Sequence, residues 1–255
     1  EHNGIAVAKG WERLLFIHIR NYPIKYFLSD DAGQCGRARR ILALRFPYML
    51  FMRCWAHQIN LMVRTLLDLA GFASVCRQAI AASNKIVTSS SKWLPLLKRD
   101  IEDFYGKAVS RKIFTVAETR WNTTQQCFAS QLRMRAACKI FAQKYENSEK
   151  FPEACKVWSD DAFWKSLEKA ELLIRPFCDA SYLMQRNKGN TLAHVVLVFM
   201  VLFSHIRESC GNSEDVQVMK KDLEKRWHGE DNPLFFLAFA LHPSFREMAV
   251  GIVAN

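Results

Sequence analysis

Three observations predict a mainly α chain with a small α/β part. Glycine and proline are sparse, at ten and seven in 255 residues. Apolar residues recur mostly at helical spacing, and only two short β-prone runs occur, both near the amino end. Half of the residues are hydrophobic, enough for one large core or two small ones.

Ile5, Ala8, Trp11, Leu15 and Ile19 lie at i, i+3 or i+4 and predict a helix over 5–20, which Pro23 ends. Ile24-Lys25-Tyr26-Phe27-Leu28 is a strand leading into Asp30 and Asp31. Gln34 to Leu44 reads as a helix stopped before Pro47. Residues 48–53 form a second strand, buried on both faces if central in a sheet. A helix from His57 to Leu69 follows, with Ile59, Met62, Val63, Leu66 and Leu67 on one side and Gly71 as its stop. Helix–strand–helix–strand–helix suits a parallel layer. Two strands alone do not make a stable sheet, so further strands are expected from elsewhere.

After Gly71 the strand signal disappears. Residues 72–106 and 122–147 are helical, with Phe128, Leu132, Ala136, Ile140 and Phe141 as the apolar stripe of the second stretch. Asp161 to Met184, kinked or split at Pro176, Thr191 to Glu208, and Pro233 to Val250 complete the helices. Residues 147–157, 185–190 and 211–215 read as loops. The pattern divides the chain into an α/β part, 1–71, and a helical part, 72–255.

Net charge is +11, which favours a polyanionic partner. No acid occurs from Ala32 to Leu67, a stretch holding Arg37, Arg39, Arg40, Arg45, Arg53 and Arg64. From Lys107 to Tyr145 eight cations, including Arg120, stand against Glu118 alone. For any one residue a solvated surface charge explains as much. Two acid-depleted blocks point more economically to phosphate, which the planar fork of Arg suits. Eight cysteines lack a repeating interval and no Cys-x-x-Cys occurs, the pattern of free thiols in a reducing compartment. The start, Glu1-His2-Asn3-Gly4, shows no signal peptide and no Met, as a piece of a longer protein would. The longest apolar run, Val195 to Phe203, is short of the roughly 20 residues of a membrane span, so no membrane partner is expected.

Three motifs carry chemistry. Asp30 and Asp31 stand at the carboxyl end of a predicted strand, where α/β sheets place ligand sites. Adjacent side chains on a strand point to opposite faces, so one of the two faces a site. A carboxylate there can bind Mg²⁺ or Mn²⁺; equally, an Asp there can cap the next helix. Cys54-x-x-His57 would need two further ligands to hold structural zinc, and no second pair stands at the proper interval. Zinc is therefore not expected, and a buried Cys with a capping or core His accounts for the pair. Thr119-Arg120-Trp121 joins a phosphate-gripping group to a stacking surface, worth roughly 1–3 kcal/mol per unpaired base; a capping Thr beside a core Trp is the everyday alternative. His194, His205 and His228 lack an i, i+4 metal pairing and read as incidental.

Taken in order, these residues resemble the hAT superfamily of DNA transposases and their domesticated relatives. Ser29-Asp30-Asp31-Ala32-Gly33 is similar to the family's strand ending in Thr-Asp-Asn. Cys54, His57, Asn60 and Leu61 match its Cys-x-x-His with a following Asn-Leu, and Thr119 to Trp121 its Thr-Arg-Trp. Ile174-Arg175-Pro176 and Leu241-His242-Pro243 stand for later Leu-x-Pro and Leu-Asp-Pro elements. The resemblance implies a partial ribonuclease-H-like parallel sheet in 1–71, followed by a large all-helical insertion domain, 72–255. It implies a nuclear, DNA-bound protein from an enzyme that uses an Asp-Asp-Glu triad with Mg²⁺ or Mn²⁺. Asp30 would be the catalytic, metal-binding second acid, with Asp31 where the family often has Asn. Cys54 and His57 would stand beside the site. Arg120 and Trp121 would hold a flipped base, with Arg37, Arg40 and Arg53 on the DNA. The family's first Asp would lie upstream of Glu1; its Glu and a dimerising region would follow the insertion. One carboxylate does not position two ions, so this chain is expected to bind DNA, to carry no metal and to be inactive alone. The alternative is a domesticated protein–protein or DNA-binding module without catalysis.

Overall fold

A computed structural model describes residues 3–107, 112–116, 122–186, 188–210, 214–229 and 232–253. Helix α1 (Gly4–Ile19) starts at Asn3, whose Oδ1 accepts the Ile5 and Ala6 N–H groups at 3.0 and 2.9 Å, a side-chain N-cap. Strand β1 (Tyr26–Ser29), helix α2 (Gly33–Arg45), strand β2 (Leu50–Arg53) and helix α3 (Trp55–Leu67) follow. The strands pair in parallel, Tyr26 opposite Leu50 and Ser29 opposite Arg53. Among the described residues the sheet has these two strands.

One face of the pair is covered. Ala8 and Leu15 from α1, Ala38 and Leu42 from α2, and Phe46 and Met49 form a buried core against which Phe27 and Phe51 pack. Tyr26 and Leu28, 62% and 49% exposed, take the other face, as strand alternation requires. The second strand is shorter than predicted, with exposed Tyr48 preceding it; within it no residue is exposed, Phe51 packing on the covered face and Met52, opposite Leu28, being buried on the other. Contact between α1 and α2 is close at Gly4, where a Cβ would stand 2.6 Å from the Cβ of Arg37.

The chain forms two units. One comprises Glu1–Leu61, Ala180–Met200 and Asp222–Asn255; the other comprises Met62–Asp179 and Val201–Lys221. The sequence pattern places a single cut at residue 71, whereas these units interleave along the chain. In the first unit the distant segments gather on Trp55. Its ring centroid lies 5.0 Å from Phe199 of α9 (Leu192–Cys210), 6.1 Å from Trp227 of α10 (Glu214–His228) and 5.5 Å from Phe235 of α11 (Pro233–Leu241). Polar ties accompany the rings. Ser181 donates to Asn60 Oδ1 at 2.8 Å, and Arg226 donates to Gln58 at 3.2 Å while gripping Asp222 at 2.9 and 3.0 Å. Helix α12 (Arg246–Val253) follows α11.

The second unit holds α4 (Ala73–Thr88), α5 (Trp93–Tyr105), α6 (Asn122–Arg133), α7 (Arg135–Tyr145) and most of α8 (Asp161–Met184). Gln131 is fully buried and satisfied. Its Nε2 donates to Ala79 O at 3.0 Å and Ser83 Oγ at 2.9 Å, and its Oε1 accepts from Trp158 Nε1 at 3.0 Å.

Several elements differ from the sequence reading. The helical stretch 122–147 is two helices that meet at Met134 (φ −109°, ψ 17°). The break resets the buried face, so Phe128 and Phe141 are buried while Ile140 is 44% exposed. The expected loop 147–157 contains a 3₁₀ helix, Glu153–Ser159, which delivers Trp158 to the core. Pro176 does not divide α8. Helix α10 begins inside the expected loop 211–215, and Pro233–Val250 is two helices. Helix α9 contains an 18-residue window, Leu192–Ser209, with mean hydropathy 1.4, long and apolar enough to cross a bilayer by length and composition. That window exceeds the run Val195 to Phe203; 39% of it is buried, and core helices of soluble proteins pass the same test.

Candidate functional site at the tips of the parallel strands

The in-register pairing of Ser29 with Arg53 brings the next residues, Asp30 and Cys54, to the carboxyl ends of adjacent strands. The Cys54 N–H donates to Ser29 O at 2.7 Å, carrying the ladder one step further. Helix α2 opens two residues beyond Asp31, and α3 opens with Trp55, so His57 sits in its first turn.

The two acids part company here. Asp31 is neutralised: Oδ1 takes Arg39 Nη2 at 2.7 Å and Oδ2 takes Arg53 Nη1 at 3.3 Å. Arg39 is buried, its side chain 7% exposed. Its Nη1 also donates to Ser29 Oγ at 2.6 Å and to the Asp30 carbonyl, so one guanidinium fixes the whole Ser29–Asp31 turn. Asp30 is exposed, and no cation stands within ion-pair distance of it among the described residues. Its carboxylate accepts the Cys35 thiol and, at 3.3 Å, the Ala32 N–H. The thiol holds the Asp30 carboxyl below the usual carboxylate range, burial opposes this, and the Ala32 N–H and the charges of His57 and Arg39 add to the lowering. Burial, then the Asp30 carboxylate, pushes Cys35 up. The Ala32 contact is a short local turn; no side chain caps α2, so Asp30 does not cap that helix.

Asp30, His57 and the neighbouring Cys54 therefore share one region, completed by Asp31, the second acid of the strand-end motif, and by Cys35 and Arg39, which no motif had marked. Arg39 was visible in the sequence only as one more basic residue; its burial is the signal, and burial is not local. Arg37 and Arg40 are exposed on α2, one turn apart. The aliphatic stem of Arg37 packs on Gly4, and Arg40 Nη1 lies 3.9 Å from where a Cβ on Gly36 would stand, beside Asp31 Oδ1 at 3.8 Å. Arg53 is engaged by Asp31 and approaches Gly229, where a Cβ would meet Nη1 at 2.8 Å. Arg120 and Trp121 lie outside the described residues.

Asp31 is committed to two arginines, whereas Asp30 has no cation partner among the described residues. Among the described residues no group of three or more His, Cys, Asp or Glu side chains is placed to hold a metal ion. The described residues thus do not by themselves supply the about six oxygen-rich ligands that a divalent ion takes. No protein-family model, curated protein or solved structure matches the chain.

Proposed function

We propose that this chain binds DNA as a hAT-transposase-like piece with a partial ribonuclease-H-like sheet, and that it does not cleave DNA alone. The observation that carries the reading is the placement of exposed Arg37 and Arg40 on the helix that joins the two strands and opens just after Asp30 and Asp31. No acid lies anywhere from Ala32 to Leu67 to oppose them, and the nearest, Asp31, is already paired. A phosphate chain laid along α2 meets two free forks. Asp30, free of cations, would offer a carboxylate to a divalent ion only where other ligands join it; two-ion phosphoryl chemistry uses several. A nuclear location and the base-stacking role of Trp121 belong to the same proposal.

The test is binding of a labelled DNA duplex over a salt series. Affinity falls steeply with salt if phosphates are contacted, with a logarithmic slope of roughly −0.9 per contact. Arg37→Gln with Arg40→Gln lowers the magnitude of that slope by about two such steps. A flat salt response, or an unchanged slope in the double variant, overturns the reading.

The second reading, a non-catalytic protein-contact module, draws on α11. Its Leu234, Phe236, Leu237 and Leu241 are exposed although Phe235 and Phe239 are buried, so the helix is apolar on its outer side too. Sedimentation of the wild type against Leu237→Glu tests it: concentration-dependent association lost in the variant supports this reading, and a monomer throughout counts against it.

A further inference from the structure

Two histidines outside the strand tips use the same ring nitrogen in the same way. Thr191 immediately precedes α9, and three residues on His194 turns back so that its Nδ1 accepts the Thr191 N–H at 3.1 Å and lies 3.0 Å from Thr191 Oγ1. This is the geometry of a capping box, in which a Glu or Gln at that position normally reaches back to the cap N–H. Here an imidazole does it. His242 follows α11, and its Nδ1 accepts the Ser244 N–H at 3.2 Å, closing the turn into α12.

The two turns are joined. The His194 and His242 rings meet edge-on at 5.5 Å, Phe245 stacks on His242 at 4.2 Å and meets His194 edge-on at 5.4 Å, and Phe239 stacks on Phe245 at 5.4 Å. Both imidazoles accept at Nδ1, so both are neutral with the proton on Nε2. A proton on either Nδ1 would face a backbone N–H and remove that turn's bond, and two protonated rings in contact would repel. Among the described residues no carboxylate pairs with either ring. His242 is the titratable side chain acting on His194, and Arg246 and Glu247, which open α12, form no ion pair with the two rings.

We propose that His194 and His242 form an acid-sensitive clasp that fastens the corner between α11 and α12 to the start of α9: closed while both Nδ1 atoms accept their backbone N–H groups, released when His194 takes up a proton there. The sign follows from the geometry. Burial, then the neighbouring His242, holds His194 below its ordinary 6.5 against the opposing pull of the Thr191 backbone contact. The clasp's contribution is therefore complete above pH 6.5 and is lost as pH falls through the lower folded value. The inference stands apart from the DNA reading.

Amide hydrogen exchange of the full chain, corrected for intrinsic rates, is measured over residues 239–250 at pH 7.5 and 5.5. Protection is expected to fall several-fold at the lower pH, with about tenfold as the ceiling for one such ring. His194→Gln with His242→Asn keeps both acceptors in amide form, since Asn at 242 can make the same two-residue turn and Gln at 194 restores the ordinary capping box. The double variant is expected to show equal protection at both values. No fall in the wild type, or the same fall in the variant, overturns the proposal. Nitrogen-15 shifts of the wild-type rings give an independent reading: Nε2–H tautomers at pH 7.5 are expected, and Nδ1–H tautomers overturn it.

Discussion

Arg39 Nη2 holds Asp31 Oδ1 at 2.7 Å, while the adjacent Asp30 turns its carboxylate to a thiol and a backbone N–H. Two neighbouring acids thus differ by environment alone: one is a structural anchor and the other is available.

That division predicts opposite mutational outcomes. Arg39→Met strips the Ser29 hydroxyl and Asp31 of a buried donor and costs about 1–3 kcal/mol of stability. Asp30→Asn removes an exposed charge and changes stability by about 0.5 kcal/mol or less. Urea unfolding of both variants checks this; equal losses would contradict the division.

Gly4 and Gly10 lie on the same helix and behave oppositely. A methyl at Gly4 would meet the Arg37 Cβ at 2.6 Å, whereas nothing lies within 4 Å at Gly10. Gly4→Ala is expected to destabilise by about 1–3 kcal/mol through overpacking. Gly10→Ala is expected to stabilise by roughly 0.5–1 kcal/mol through lower backbone entropy. Thermal melts of the two single variants decide it.

In the second unit, Gln131→Leu leaves the buried Trp158 indole N–H without its acceptor, while the Ser83 hydroxyl keeps the Cys127 thiol at 3.2 Å. A loss of about 1–3 kcal/mol for that orphaned group is expected. Trp158→Phe placed on the leucine variant removes the orphan, so its further cost is smaller than in the wild type; a double-mutant cycle measures the difference.

Thiol reactivity follows burial. Burial pushes Cys76, Cys155 and Cys178 up to about 12, and Cys138 higher still. The thiolate is the reactive form, so at pH 8 these four stay unmodified by iodoacetamide in the native protein and react in urea. Peptide mass spectrometry of the alkylated protein provides the count, and native labelling at any of the four would refute it.

How much of this was legible in the sequence depends on how local each signal is. The α1–β1–α2–β2–α3 order was readable because Pro23, Pro47 and Gly71 mark the boundaries and the apolar period changes between them. The break at Met134 was not, since the helical period runs through it. Helix α10 was not either, because its sequence is mostly charged and offers a thin apolar stripe. Asp30 was nameable from its position at a strand end. The choice between Asp30 and Asp31 rested on a side chain eight residues away, Arg39, which is buried against the Ser29–Asp31 turn. The Trp55 cluster joins residues more than 140 positions apart, and no short-range pattern announces such a meeting.

Parallel strands joined through a helix have a kinetic consequence. No tight hairpin can bring Ser29 beside Arg53; the crossover through α2 has to close first. Pairing of the strands therefore carries a loop-closure cost that the local turns of α1 and α2 do not, and the acid-bearing rim is expected to form more slowly in refolding than those helices.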